Sequence, residues 1–154
     1  MPRPLPDVAA SHYARHEGAA AADLDPPHHL VIRGQPDQVS VARAFIRQLL
    51  GSLHPGTERV TLLTSELVTN SVSHSDSRRA GGTITVVVRT AADRIRVEVH
   101  HDGGASEPTL CCEGDLAETG RGLRLVDAYS LSWDYYRNGT RTVTWFECAP
   151  EPID

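Results

Sequence analysis

A chain of 154 residues is long enough for one domain with a sizeable core. Its formal charge of -5 at pH 7 argues against a general binder of nucleic acid or anionic membrane, and 5% aromatic residues are too few for a base-stacking platform. All 15 basic residues are arginines, which excludes a catalytic or phosphate-binding lysine and leaves arginine for phosphate contacts.

Three cysteines, two adjacent (Cys111 and Cys112) and one near the end (Cys148), make no disulfide framework; reduced thiols fit a cytoplasmic protein. No apolar run approaches the length of a membrane span, and the opening from Met1 to Pro6 lacks the apolar centre of a signal peptide. Residues 1–27, rich in Pro, Ala and His, show no sustained period and read as a flexible tail; residues 150–154 read as a short one. The histidines in and directly after the first segment (His12, His16, His28, His29) lack a regular ligand spacing, so they read as solvated rather than as a metal site.

The domain is expected over residues 28–149. Leu30–Arg33 is a short strand, and Gln35-Pro36-Asp37 starts a helix in which Val39, Ala42, Phe45, Ile46, Leu49 and Leu50 keep helical spacing until Gly51 stops it. His54-Pro55-Gly56 makes the break before a second helix, Thr57 to Ser75. On that helix Glu66 and Asn70 stack one turn apart, with Ser73 in the same stripe, beside the apolar Val60, Leu63, Leu67 and Val68. A carboxylate at the edge of an apolar face suits a general base, and an amide oxygen suits a hard cation such as Mg²⁺.

Thr83–Arg89 and Arg94–His100 are strands joined by a turn at Ala91 to Asp93. In the second, Ile95, Val97 and Val99 face one way and Arg94, Arg96 and Glu98 the other, which continues to put His101 on the buried face and Asp102 on the outer one. Gly103 and Gly104 end the strand and open a long segment without periodicity, the length of a lid or binding loop. Gly120-Arg121-Gly122 leads into a helix from Leu123 to Tyr129, where two glycines at a helix N-terminus would leave backbone N–H groups open to phosphate. Strands from Leu131 to Tyr136 and Thr140 to Cys148 close the chain around Asn138-Gly139, the strongest short hairpin signal. The order predicts an α+β fold: a two-layer sandwich with a mainly antiparallel sheet and helices on one face. His100 and His101 beside Cys111 and Cys112 do not have a zinc spacing, because adjacent ligands chelate one ion poorly.

In this order and spacing the motifs resemble the GHKL ATP-binding superfamily, which includes histidine-kinase catalytic domains. Glu66 to His74 resembles its N box, Val97 to Gly104 its first glycine box and Thr119 to Val126 its second; Gly139 to Glu147 resembles the last strand of the compact anti-sigma-factor branch. The resemblance implies ATP and Mg²⁺ as cofactors, with Glu66 as catalytic base and Asn70 holding the metal. It also implies a nucleotide pocket built from Asn70, His101, Asp102, Gly103, Gly104, Gly120, Arg121, Gly122, Leu123 and Thr142, under a lid over residues 105–119. The implied partners are a sigma factor and an antagonist protein whose serine or threonine accepts the phosphate, and a homodimer is open to it. One departure stands out: where the family carries an aspartate that accepts a hydrogen bond from the adenine amino group, this chain has His101, with Asp102 one step late. A β-bulge would turn Asp102 inward. Two functions follow: a serine/threonine protein kinase that also sequesters a sigma factor, or a non-catalytic binding module of the same fold with lost or weakened ATP binding.

Overall fold

The computed structural model describes residues 24–74, 81–102 and 117–151. Five strands, β1 (His28–Arg33), β2 (Thr83–Thr90), β3 (Ile95–Asp102), β4 (Ser132–Asn138) and β5 (Arg141–Cys148), form one sheet in the order β1-β2-β3-β5-β4, each neighbouring pair antiparallel. Among the described residues three α-helices pack on it: α1 (Val39–Leu50), α2 (Thr57–His74) and α3 (Ala117–Tyr129). This is the expected α+β sandwich. Among the described residues, no helix is long and apolar enough to cross a membrane.

Alternation in the strands decides which face the helices cover. Ile84, Val86 and Val88 of β2, Ile95, Val97 and Val99 of β3, and Phe146 and Cys148 of β5 share one core with Ala42 and Ile46 of α1, Val60, Leu63, Leu67 and Val68 of α2, and Leu123 and Val126 of α3. Each such side chain contributes about 1.5–3 kcal/mol by leaving water. The middle helix, α2, packs against α1, α3, β3 and β5, so it is enclosed on several sides. Small hydroxyls permit that: Thr57, Thr61, Thr64 and Ser71 are all buried, with Ser71 Oγ donating to Leu67 O at 3.0 Å.

Several boundaries differ from expectation, each for a physical reason. The first helix opens as a 3₁₀ turn, Pro36–Gln38, and becomes α-helical only at Val39; it ends where Gly51, at φ 84°, donates its N–H to Arg47 O. At the other edge of β1, the Asp25 N–H already donates to Thr90 O, so contacts with the sheet start before His28. Asn138 is a strand residue paired with Arg141, which makes Gly139 and Thr140 the two-residue loop. Gly139 alone has positive φ there, 64°, the pattern of a turn with glycine at its first central position. The largest difference is α3, which begins at Ala117 and encloses Gly120 and Gly122 instead of starting after them. Two helical glycines cost about 1 kcal/mol each relative to alanine, less than the burial of Leu123 and Val126 returns.

The helix-free face of the sheet is not the solvated surface that its polar residues suggest. Arg96, Glu98 and Glu147 are buried there. Arg96 Nε donates to Glu98 Oε2 and Nη1 to Glu147 Oε2, each at 3.2 Å, while its guanidinium lies 4.1 Å from the Trp145 ring centroid. Arg94 Nε adds a 3.7 Å ion pair to Glu147, and His100 Nε2 donates to Glu98 Oε1 at 2.9 Å.

Candidate functional site

Glu66 and Asn70 project from α2 four residues apart, both half-buried between core residues Leu67 and Val68 and solvent; Ser73, next in the stripe, is exposed. Both offer hard oxygen donors, and neither a sulfur nor a nitrogen ligand, which suits Mg²⁺ held by one or two protein oxygens and completed by phosphates. Replacing Asn70 by Ala is expected to weaken binding of ATP with Mg²⁺ far more than binding of ATP without metal, measured by paired titrations with and without chelator. Equal losses would assign Asn70 to holding the helix.

β3 runs through His101 and Asp102 with no bulge: its register against β5 is unbroken from Ile95 opposite Cys148 to Asp102 opposite Arg141. The two side chains therefore lie on opposite faces. His101 is on the helix side, buried, directly between Ile84 of β2 and Thr142 of β5, and Thr142 is buried with it. Asp102 is on the outer face, where Arg141 Nη1 lies 3.4 Å from its Oδ1 while Arg141 Nη2 donates to Thr83 O and His100 O. The inward turn that would make Asp102 a base ligand does not occur, and Arg141, which the sequence did not single out, clamps the strand end.

His101 Nδ1 lies 3.0 Å from the Asp102 carbonyl oxygen. A carbonyl only accepts, so Nδ1 carries the proton and Nε2 of the neutral ring is an acceptor. Burial holds the imidazole below its ordinary pKa against the bond to the Asp102 carbonyl, the largest influence that raises it; Arg141 and, least, His100 lower it further, while the Asp102 carboxylate raises it. A folded-state value below the unfolded one means that the unfolded chain takes up the proton first. The stability associated with the neutral ring is thus complete above about 6.5, the unperturbed value, and is lost as pH falls from there through the lower folded value. Urea unfolding between pH 7 and 5 is expected to show that loss, and His101→Gln to reduce it. A loss of the same size in His101→Gln would assign it to other groups.

α3 carries the remaining predicted residues. Leu123 is a core residue, wholly buried. Gly120 is the fourth residue of the helix, so its N–H, like those of Arg121 and Gly122, falls within the helical ladder, and the N–H groups without an intrahelical acceptor end at residue 119. A phosphate at this terminus would therefore meet the amides of residues 117–119 rather than a Gly120–Gly122 cradle. Gly103, Gly104, Cys111, Cys112 and nearly all of the expected lid lie outside the described residues. Among the described residues, no group of three or more His, Cys, Asp or Glu side chains could hold a metal ion.

A family model described as the histidine kinase-like ATPase domain matches residues 32–147. The chain belongs to that family. Solved structures resemble it too, two of them from one protein. One is the Erythrobacter litoralis EL346 blue-light activated histidine kinase, 23% identical with a TM-score of 0.49, where the match covers 74% of this chain and 41% of that one. The other is the histidine kinase domain from the same protein, 23% identical with a TM-score of 0.47, covering 80% of this chain and 68% of that one. The chain thus spans about two fifths of the length of the first of these structures. Among curated proteins no sequence matches.

Proposed function

We propose that this member of the family binds ATP with Mg²⁺ and acts as a serine/threonine protein kinase of the anti-sigma type. It would phosphorylate a hydroxyl of an antagonist protein and sequester a sigma factor until that antagonist displaces it. The observation that carries the reading is on β3: at the position where the superfamily uses a carboxylate to accept from the adenine amino group, His101 faces the helices with Nδ1 protonated, which makes Nε2 an acceptor for the same hydrogen bond. Thr142 stands beside it on β5.

Mg²⁺, when bound, neutralises charge that develops on the phosphates during transfer. Asn70 would hold it through the amide oxygen. Glu66 would act as general base, taking the proton of the acceptor hydroxyl whose oxygen displaces ADP from the γ-phosphorus. The amides of residues 117–119 at the N-terminus of α3 would receive phosphate oxygens. A cytoplasmic location fits a partner that is a sigma factor.

Incubation with γ-labelled ATP, Mg²⁺ and candidate antagonist proteins tests the reading. Acid-stable label on an acceptor serine or threonine supports it, whereas acid-labile label on histidine overturns the specificity. The second reading, a binding module without transfer, draws on the same residue: a neutral imidazole offers one acceptor where a carboxylate offers two oxygens. Weak or absent nucleotide binding, with no transfer to any acceptor, would favour it.

A further inference from the structure

The last residue of β3 is held differently on its two sides. The register with β5 runs to Asp102 opposite Arg141, whereas the register with β2 stops one residue earlier, at Ile84 opposite His101. The Arg141 side chain reaches across to the β2 side. Its Nη2 donates to Thr83 O at 3.2 Å and to His100 O at 3.0 Å, and its Nη1 lies 3.4 Å from Asp102 Oδ1. One guanidinium thus ties backbone oxygens of two strands to the carboxylate of Asp102, which a planar fork can do and a point charge cannot. The carbonyl of the same Asp102 accepts from His101 Nδ1 at 3.0 Å.

We propose that Arg141 is a positioning residue that sets base specificity: by holding the end of β3 it fixes the Asp102 carbonyl, which keeps the His101 proton on Nδ1, so that Nε2 accepts from an aminopurine and refuses an oxopurine. The inference rests on the reading of His101 as the residue that meets the base. In a neutral imidazole, the bond made by one ring nitrogen decides which of the two carries the proton. With Nδ1 committed to the carbonyl, Nε2 presents a lone pair. Adenine offers it an amino donor; guanine and hypoxanthine offer a carbonyl, and two acceptors face to face leave both unpaired. Released from the Asp102 carbonyl, the ring can carry its proton on Nε2 and donate to an oxopurine, so discrimination falls. After burial, the guanidinium charge is a further influence against a second proton on the ring, and a neutral ring is the one that accepts. Arg141 therefore acts on the pocket from the outer face of the sheet, through the backbone of Asp102.

Two readouts test the proposal, and one of them needs no nucleotide. At about pH 8 an ordinary imidazole is neutral. The nitrogen NMR shifts of the His101 ring, assigned by their loss in His101→Gln, then report which nitrogen carries the proton. The parent is expected to show Nδ1–H, and Arg141→Met a mixture of the two tautomers. The second readout is calorimetric titration with Mg²⁺ and either ATP or inosine triphosphate, whose base has a carbonyl in place of the amino group. The affinity ratio is expected to favour ATP in the parent and to fall about fivefold or more in Arg141→Met, the worth of one net hydrogen bond. Should Arg141→Met fail to fold, Arg141→Lys takes its place: an ammonium does not span the same oxygens, and the same two changes are expected. A parent ring protonated on Nε2, or Nδ1–H that survives the substitution, would overturn the proposal. Binding of both nucleotides with an unchanged ratio would overturn the specificity alone. A parent that binds neither nucleotide would overturn the reading of the site, and the specificity with it, whatever the ring shows.

Discussion

Glu66→Gln is expected to lower phosphoryl transfer about 10²-fold or more while leaving nucleotide affinity nearly unchanged. The amide keeps the shape of the carboxylate and its place on half-buried α2, so the helix and its packing on β3 remain. What it loses is the ability to take a proton. Single-turnover transfer from γ-labelled ATP separates the chemical step from binding. A parallel fall in affinity and turnover would indicate that Glu66 shapes the site, and equal turnover in both proteins would remove it from the mechanism.

Arg96→Met is expected to cost about 3–5 kcal/mol of folding stability, the range for breaking a buried ion pair by removing one partner. Glu98 and Glu147 both direct Oε2 at the guanidinium, and their side chains are 8% exposed; without Arg96 two carboxylates share a poorly hydrated layer. The indole of Trp145 loses its cation as well. Urea unfolding measures the effect as a midpoint lowered by more than about 1 M, given a slope of about 1–3 kcal/mol/M. Adding Glu98→Gln and Glu147→Gln to Arg96→Met should recover much of the loss, because a neutral layer has no uncompensated charge. If Arg96→Met unfolded like the parent, the pair would be acting as an exposed surface pair.

The same residues show why part of this arrangement was legible in the sequence and part was not. Alternation along Ile95, Val97 and Val99 placed His101 toward the helices correctly, since side-chain direction depends only on local period. The helical stripe of Val60, Leu63, Leu67 and Val68 likewise marked the buried side of α2. Alternation assigns a face but not an environment, so it placed Arg96 and Glu98 opposite Ile95, Val97 and Val99 and left their burial unmarked. Their burial depends on Glu147 and Trp145, some fifty residues away and adjacent only once β3 pairs with β5. The start of α3 failed for a related reason: Gly120 and Gly122 are local breakers, and the burial that outweighs them is tertiary. The tautomer of His101 had no sequence signal, because it is set by a backbone carbonyl.

The central claim is that the face holding His101 and Thr142, together with the Glu66–Asn70 stripe, takes ATP with its metal. Calorimetric titration of the full chain with ATP and Mg²⁺ measures this most directly. Saturable one-to-one binding is expected, weakening when a chelator removes Mg²⁺. Binding about fivefold tighter is expected in His101→Asp, the value of roughly 1 kcal/mol for one added hydrogen bond. Absence of binding at millimolar ATP, in the parent chain and in His101→Asp alike, would contradict it.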